Sequence, residues 1–598
     1  MQGQKRLVAL VLLVAVIAVY WPGLSGPFLF DDIHNFVENR DVHIEQWDLQ
    51  AIRDAATAYG DRLPHRPVST LSLALDHWMW DGEVFGFKVT NLLIHLVNTL
   101  LMLFLAMLVL RQVSERFGQA WPPWLPFLLA GLWAVHPLQV STVLYVVQRM
   151  EMLAAMFILL SLLAYLKGRV ALVAGQVHGW RWLALAGVFT ILAVLGKETG
   201  VLAPLFMLAV ELILFRFSSV SPAVSRSLRM GFAGILAFFV LVFLLWHVPN
   251  QFAPGAYAVR DFTWDERLLT QLRVLPMYLW WTVAPLPDQY LFYYDHFAQS
   301  ESLFRPITTL LGGVFLLAFA GLGWFSRQRA PLVALGVAWF FVAHALSSNL
   351  VSLEMVFEHR NYLSIFGVLL VGAGLVRLIP APSKQVNLMP ACIALAAGIA
   401  LISMVRTATW GDEVNLALHH AHINPGSPRA GLDLADLYLE NADGNTDSPM
   451  FTFARNEFER VAALPRASTI ADQALILMSL RAGSEPSAEV WERLLDKVER
   501  RPLRPVDFDA IFSLIRHRTT DAGLDDDRLR AIHDLLLERD HVPVQIHVRF
   551  GYLAALILED HEMAGAAFGR ARELLRDSPI ELEALESALR DADILNNS

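Results

Sequence analysis

A 598-residue chain that is 55% hydrophobic and only 17% charged, with a mean hydropathy of +0.44, is too apolar for a soluble enzyme of that size, so a bilayer is its main solvent. The net charge of −10 gathers after residue 406, where Asp and Glu outnumber Lys and Arg by about a dozen, which excludes a nucleic-acid partner. The single cysteine, Cys392, permits no intrachain disulfide, so an oxidising compartment is neither required nor excluded.

Lys5-Arg6 and the apolar run from Leu7 to Val19 have the layout of a signal peptide. No small-x-small cleavage site follows and many further spans do, so an uncleaved first helix is expected. Apolar runs of spanning length predict eleven helices near 7–24, 88–110, 123–138, 150–167, 180–197, 200–216, 229–249, 305–325, 330–350, 361–379 and 387–405, an all-α polytopic domain over 1–405 with a large loop at 25–87. Lys5/Arg6, Arg111/Arg116, Lys167/Arg169, Arg216/Arg226/Arg229, Arg327/Arg329 and Arg377/Lys384 then share one side, the cytoplasm of a bacterial inner membrane. Residues 268–287 are apolar but broken by Arg273, Pro276 and Pro285, and read as an interfacial or re-entrant helix. The odd number of spans places a second domain, 406–598, in the periplasm.

That tail reads as short helix pairs. Ala454–Val461 and Gly551–Leu556 have helical periodicity with small residues where antiparallel helices meet, and the second is followed by Ala564–Ala571, the pattern of a degenerate tetratricopeptide repeat. The stretch 465–545 keeps the helical pattern without a clean repeat signature.

The chemistry-bearing residues gather at helix ends on the expected periplasmic side. Phe30-Asp31-Asp32-Ile33-His34 follows the first helix, and two carboxylates at a membrane boundary are costly unless solvated, paired or used. Taken alone, the pair fits a capping or solvated role as well as a general base. Five further blocks accompany it: Arg66-Pro67-Val68-Ser69, His136-Pro137-Leu138-Gln139, Gln148-Arg149-Met150-Glu151, Lys197-Glu198-Thr199-Gly200 and Glu358-His359-Arg360-Asn361-Tyr362. A lipid-linked phosphate needs cations near the interface, and Arg149, Lys197 and Arg360 are the candidates. Arg66, His136, Glu151, Glu198, Glu358, His359 and Tyr362 complete the expected lining; snorkelling side chains and structural ion pairs are the competing explanation for each. No comparable cluster is read on the cytoplasmic face. Asp31, Asp32 and His34 with Glu358 form an oxygen-rich set that a divalent ion would suit, yet no metal ligand is assigned and the cofactor stays open. Tyr290–Tyr294 with Asp295 and His296 reads first as interfacial aromatic anchoring and second as the lining of a sugar or acceptor groove, and His419, His420 and His422 read as solvated helix surface.

The order of these blocks, with Thr90-Asn91-Leu92-Leu93-Ile94-His95-Leu96-Val97-Asn98 between them, resembles the transmembrane-and-tetratricopeptide-repeat O-mannosyltransferases and their bacterial relatives. Ser364 stands where several members of that family have Pro. The resemblance implies a GT-C type membrane glycosyltransferase that uses a polyprenyl-phosphate-linked sugar donor. Asp31 or Asp32 would be the base of an inverting displacement, with Asp31 preferred. The repeats would present an acceptor protein, such as a pilin or another exported protein. A lipid or glycan acceptor and a non-catalytic membrane-anchored scaffold are the alternatives; a transporter would carry its charges deeper in the spans.

Overall fold

The computed structural model describes residues 2–59, 65–252, 256–257, 260–378, 388–520, 523–576 and 578–591. Among them every regular element is a helix, and the chain is an all-α polytopic membrane protein with a helical C-terminal region. Two compact units emerge: Met1–Pro249 with Trp264–Phe292 and Ala298–His419, and Asn250–Thr263 with Tyr293–Phe297 and His420–Ser598.

The first unit contains α1 (Gln2–Tyr20), α2 (Leu49–Thr57), α3 (Pro67–Trp80), α4 (Val84–Phe117), α5 (Leu125–Ala134), α6 (Gln139–Leu144), α7 (Arg149–Val173), α8 (Gly179–Gly196), α9 (Ala203–Val210), α10 (Pro222–Val242), α11 (Val248–Phe252), α12 (Trp264–Val283), α13 (Thr308–Ser326), α14 (Pro331–His344), α15 (Ser364–Leu378) and α16 (Met389–Trp410). Proline stands at the first or second position of α3, α5, α9, α10, α14 and α16, where its missing N–H deprives the helix of no bond.

Among the described residues, eight stretches are long and apolar enough to cross a membrane: Gly3–Gly23, Val84–Phe117, Val146–Val173, Gly179–Gly196, Glu198–Phe215, Pro222–Gln251, Thr308–Ser326 and Met389–Trp410. The apolar window of Pro222–Gln251 is only 6% buried inside the protein, so lipid must cover most of it. The remaining three expected helices, α5, α14 and α15, form but are shorter, with 10, 14 and 15 residues. At about 1.5 Å per residue none of the three spans a ~30 Å hydrocarbon layer by itself. α14 and α15 pack closely: a Cβ on Gly336 of α14 would meet the Gly367 carbonyl of α15 at 2.3 Å, and one on Gly367 would meet the Gly336 carbonyl at 2.7 Å, so two glycines let these backbones touch.

Residues 268–283 of the ambiguous segment 268–287 lie in α12, which begins earlier than expected, ends before Pro285 and buries Arg267. Its guanidinium donates to the carbonyls of Asn349, Leu353, Glu354 and Ser347, satisfying a stretch of irregular backbone that would otherwise lack donors.

The second unit contains α17 (Glu413–Ile423, which crosses the boundary), α18 (Pro428–Asn441), α19 (Pro449–Ala462), α20 (Ile470–Arg481), α21 (Ala488–Arg500), α22 (Pro505–Thr520), α23 (Asp526–Leu537), α24 (Val544–Leu553), α25 (His561–Leu574) and α26 (Pro579–Asp591). Ser427, Ser448, Ser487, Asp525 and Asp560 cap five of these helices through side-chain oxygens, as their residue types favour. Gly551 of α24 lets the Phe568 ring of α25 approach its backbone, a Cβ there lying 2.5 Å from the ring. The core runs from Ala435 through Phe458, Leu494, Leu514 and Ile532 to Phe568 and Leu589.

Two pieces of the preceding loop complete this unit. Tyr293 donates its hydroxyl to Asp433 at 2.6 Å, Asn424 donates to the Tyr293 carbonyl at 2.9 Å, and Arg466 donates to the carbonyls of Asp295 and Phe297 at 3.1 Å each. Tyr290 of the first unit is also buried, its hydroxyl donating to Trp281. The aromatic run therefore supplies buried residues and not the interfacial anchors expected of it. His420 is likewise buried, its ring 6.0 Å from Tyr293, where solvated helix surface was expected.

Candidate functional site

The loop after α1 gives its two aspartates different tasks. Asp32 is fully buried, and its carboxylate accepts main-chain N–H groups from Leu29 at 3.0 Å, Val146 at 3.3 Å and Val147 at 2.6 Å. It therefore ties the loop to the segment leading into α7. Burial pushes its carboxyl up to about 7, against the pull of these N–H groups and the charge of Lys88. Asp31 is only partly buried, and its backbone is fixed: its N–H donates to the Tyr145 hydroxyl at 2.8 Å and its carbonyl accepts from Asn35 at 2.8 Å. A partly exposed carboxylate on a pinned backbone can meet a ligand; one consumed by three amides is a structural acceptor.

A patch of alternating charge lies where α3 begins and α8 ends. Arg66 precedes Pro67 in the left-handed region, with φ 57°, a strained conformation for a non-glycine residue. Its guanidinium grips Glu198 through two nitrogens, at 3.0 and 2.9 Å, and His65 meets the same carboxylate at 2.6 Å. Lys197, extended between α8 and the next turn, pairs with Glu151 at 3.1 Å and reaches Gln148 at 3.5 Å. His359 borders the group: desolvation first, then the cations Lys197, Arg360 and Arg66, hold its imidazole well below the usual histidine range, so it is neutral. Arg360 donates to the carbonyls of Met355 and Glu354. Tyr59 lies within the field of Arg66 and of both Asp31 and Asp32, which links this patch to the acidic pair.

Other expected site residues belong to the interior. Arg149 is fully buried: it pairs with Asp76 at 2.5 Å, donates to Asn91 at 2.7 Å, and donates to the carbonyls of Ser72 and Phe87. With its donors spent inside the helix cluster, it is not placed to meet a donor phosphate. His136 receives the Leu138 N–H and faces the Thr282 carbonyl. Glu358 pairs with Arg406 of α16 at 2.6 Å, and the Tyr362 hydroxyl is shared by His95 at 2.9 Å and Asn98 at 3.0 Å. Asn91, His95 and Asn98 follow helical spacing along one face of α4, so this polar motif is a seam between helices. His34 is exposed beside Glu38 at 3.8 Å while Glu358 is engaged by Arg406, so the oxygen-rich set of Asp31, Asp32, His34 and Glu358 is not assembled.

Sequence reasoning missed Lys88, Asp76, Tyr59 and Arg406. No local pattern marks Asp76 as the partner of a residue 73 positions away. The opposite face also holds a charged cluster that was not expected: Arg169 and Glu211, both 0% exposed, pair at 2.6 Å, with Tyr165 donating to the same carboxylate at 2.5 Å.

No protein-family model and no solved structure matches the chain. Among curated proteins, the protein O-mannosyl-transferase TMTC4 of Homo sapiens is 29% identical over 187 residues, 30% of this chain and 25% of that protein. A protein O-mannosyl-transferase of Caenorhabditis elegans is 25% identical over 265 residues, 44% of this chain and 34% of its own length. The human TMTC2 protein O-mannosyl-transferase is 28% identical over 191 residues, 31% of this chain and 21% of that protein. The chain thus spans a fifth to a third of the length of these relatives. At modest identity and over part of its length, it is similar to the transmembrane, tetratricopeptide-containing protein O-mannosyl-transferases.

Proposed function

We propose that this protein is a GT-C type membrane glycosyltransferase of the bacterial inner membrane, moving a sugar from a polyprenyl-phosphate donor to a hydroxyl of an acceptor protein on the periplasmic face. The observation that carries the reading is the division of labour at the acidic pair: Asp32 spends its carboxylate on three main-chain N–H groups, and so fixes the loop that presents the partly exposed Asp31. The similarity to protein O-mannosyl-transferases supports it.

In the proposed step the acceptor oxygen forms a bond to the anomeric carbon as the bond from that carbon to the phosphate oxygen breaks. The acceptor proton passes to Asp31 and the electron pair leaves with the lipid phosphate. Lys197 and Arg360, with Arg66 beside them, would balance the charge that grows on the phosphate. The acceptor would be recruited by the C-terminal helices, and the periplasm would be the compartment of both the acidic pair and the tail.

The test is transfer by the purified full-length chain from a polyprenyl-phosphate sugar to envelope proteins, compared with Asp31→Asn. Transfer by the parent and its loss in the variant are expected. Absence of transfer from every polyprenyl donor, while the tail still retains envelope proteins, would replace this reading with the scaffold. A deletion that separates acceptor from donor handling should begin after His419, because a cut at Arg406 would also remove the partner of Glu358.

A further inference from the structure

Lys88 stands in the first turns of α4 with its side chain 0% exposed. Among the described residues its ammonium has no hydrogen-bond partner. A buried lysine is costly unless a carboxylate compensates it. The surroundings show what is near. A Cβ on Gly26 would come within 3.0 Å of the Lys88 nitrogen and 1.8 Å of the Trp410 carbonyl, so the ammonium lies against the loop that leads from α1 to the acidic pair, and glycine is what leaves it room. Asp32 is the carboxylate whose charge reaches it. The full burial of the ammonium argues against a role as a ligand for a lipid phosphate, which would need a route to it.

We infer that Lys88 is a positioning residue: its positive charge favours the ionised form of Asp32 inside the protein, and that carboxylate holds the three amides that fix the loop presenting Asp31. The other groups facing Asp32 act with or against it. Arg149 adds positive charge from α7, while Asp31 beside it in the loop adds negative charge, and the Tyr59 hydroxyl lies within its field. Removal of Lys88 leaves a buried carboxylate that takes up a proton more readily, and a protonated carboxyl accepts from three N–H groups less well.

The decisive measurement is a double-mutant cycle on the full-length chain in detergent, using Lys88→Met, Asp32→Asn and the pair together, read as thermal unfolding. This part is independent of the transfer reading. A charge partnership predicts that each single variant melts several degrees below the parent and that the double variant recovers much of the loss of Lys88→Met, because no uncompensated charge then remains. Additive losses would overturn the inference and leave Lys88 as a packing stem. Where Lys88→Met alone cannot be recovered as folded protein, recovery of the double variant carries the same conclusion, and failure of both overturns it. A second readout rests on the proposed function: the acid limb of transfer against pH should move up by about one unit in Lys88→Met. A cycle that shows coupling in a protein that transfers no sugar would leave the partnership standing and remove the enzymatic reading; transfer with an unmoved acid limb and additive losses would do the reverse.

Discussion

α7 carries a guanidinium–carboxylate pair near each of its ends, about 20 residues and so about 30 Å apart. At the first end Arg149 meets Asp76 of α3, and at the second Arg169 meets Glu211 beyond α9, with all four side chains at most 3% exposed. Both pairs are sealed and both are extended by neutral partners, Asn91 at one end and Tyr165 at the other. A sealed ion pair at a helix end is therefore architecture in this protein, on either face. The charges around Lys197 differ in gradation: Lys197 is 14% exposed, Arg66 26% and Glu198 42%. Accessibility, and not the presence of charge, separates the candidate site from the struts that support it.

The largest expected effect falls on Asp31. Asp31→Asn keeps shape and removes the proton acceptor, so turnover should fall by about 10²–10⁴ in single-turnover transfer, while the melting temperature stays at the parental value. Asp32→Asn should instead lower stability, because an amide presents one acceptor oxygen where a carboxylate presents two. The reverse pattern would exchange the roles assigned to the two aspartates. Next come the two ends of α7: Arg149→Ala and Arg169→Ala should each cost about 3–5 kcal/mol, the usual consequence of leaving one member of a buried pair behind, measured by denaturant unfolding in detergent. The comparison breaks if Arg149→Ala leaves stability intact and weakens polyprenyl-phosphate binding.

The helices themselves were legible because apolar runs and proline starts are local signals, and all eleven expected stretches form helices. The lengths of α5, α14 and α15 were not, since a run of apolar residues does not reveal where the backbone leaves the helix within it. The site was legible as a set of polar blocks. Its sorting was not, because whether Arg149 or Lys197 keeps a route to solvent depends on residues such as Asp76 and Asn91 that are distant in the chain. The absence of a charged cluster on the other face was misread for the same reason: Arg169 was counted as a loop cation, and Glu211, 42 residues later, turns it inward.

A smaller effect is expected at the partly exposed cations. Lys197→Ala should weaken binding of a polyprenyl phosphate about 10- to 100-fold, the worth of a hydrogen bond to a charged group, with a melting temperature lowered less than by Arg149→Ala. Glu151→Gln sharpens this: with its internal partner neutralised, Lys197 should bind the phosphate more tightly than in the parent. Equal binding in all three proteins would remove Lys197 from the donor site.

The smallest effect is expected at two buried imidazoles of the second unit. His547 of α24 is 0% exposed and His533 of α23 is 1% exposed; neither ring nitrogen of His547 has a partner among the described residues. Burial, then His533 and Arg570, lowers His547 to about 4, while burial also lowers His533 against the pull of Asp534 and Asp560. The unfolded chain takes up a proton at His547 near the ordinary value of about 6.5, but the folded unit resists protonation until about 4. Its contribution to stability is thus complete above about 6.5 and is lost as the pH falls toward 4. The melting transition of the second unit should drop by a few degrees between about pH 7 and 5, on the scale of ~2–4 °C per kcal/mol for a unit of this size. In His547→Leu, where an apolar side chain fills the same buried position, that slope should flatten. An unchanged slope would assign the acid sensitivity to other groups.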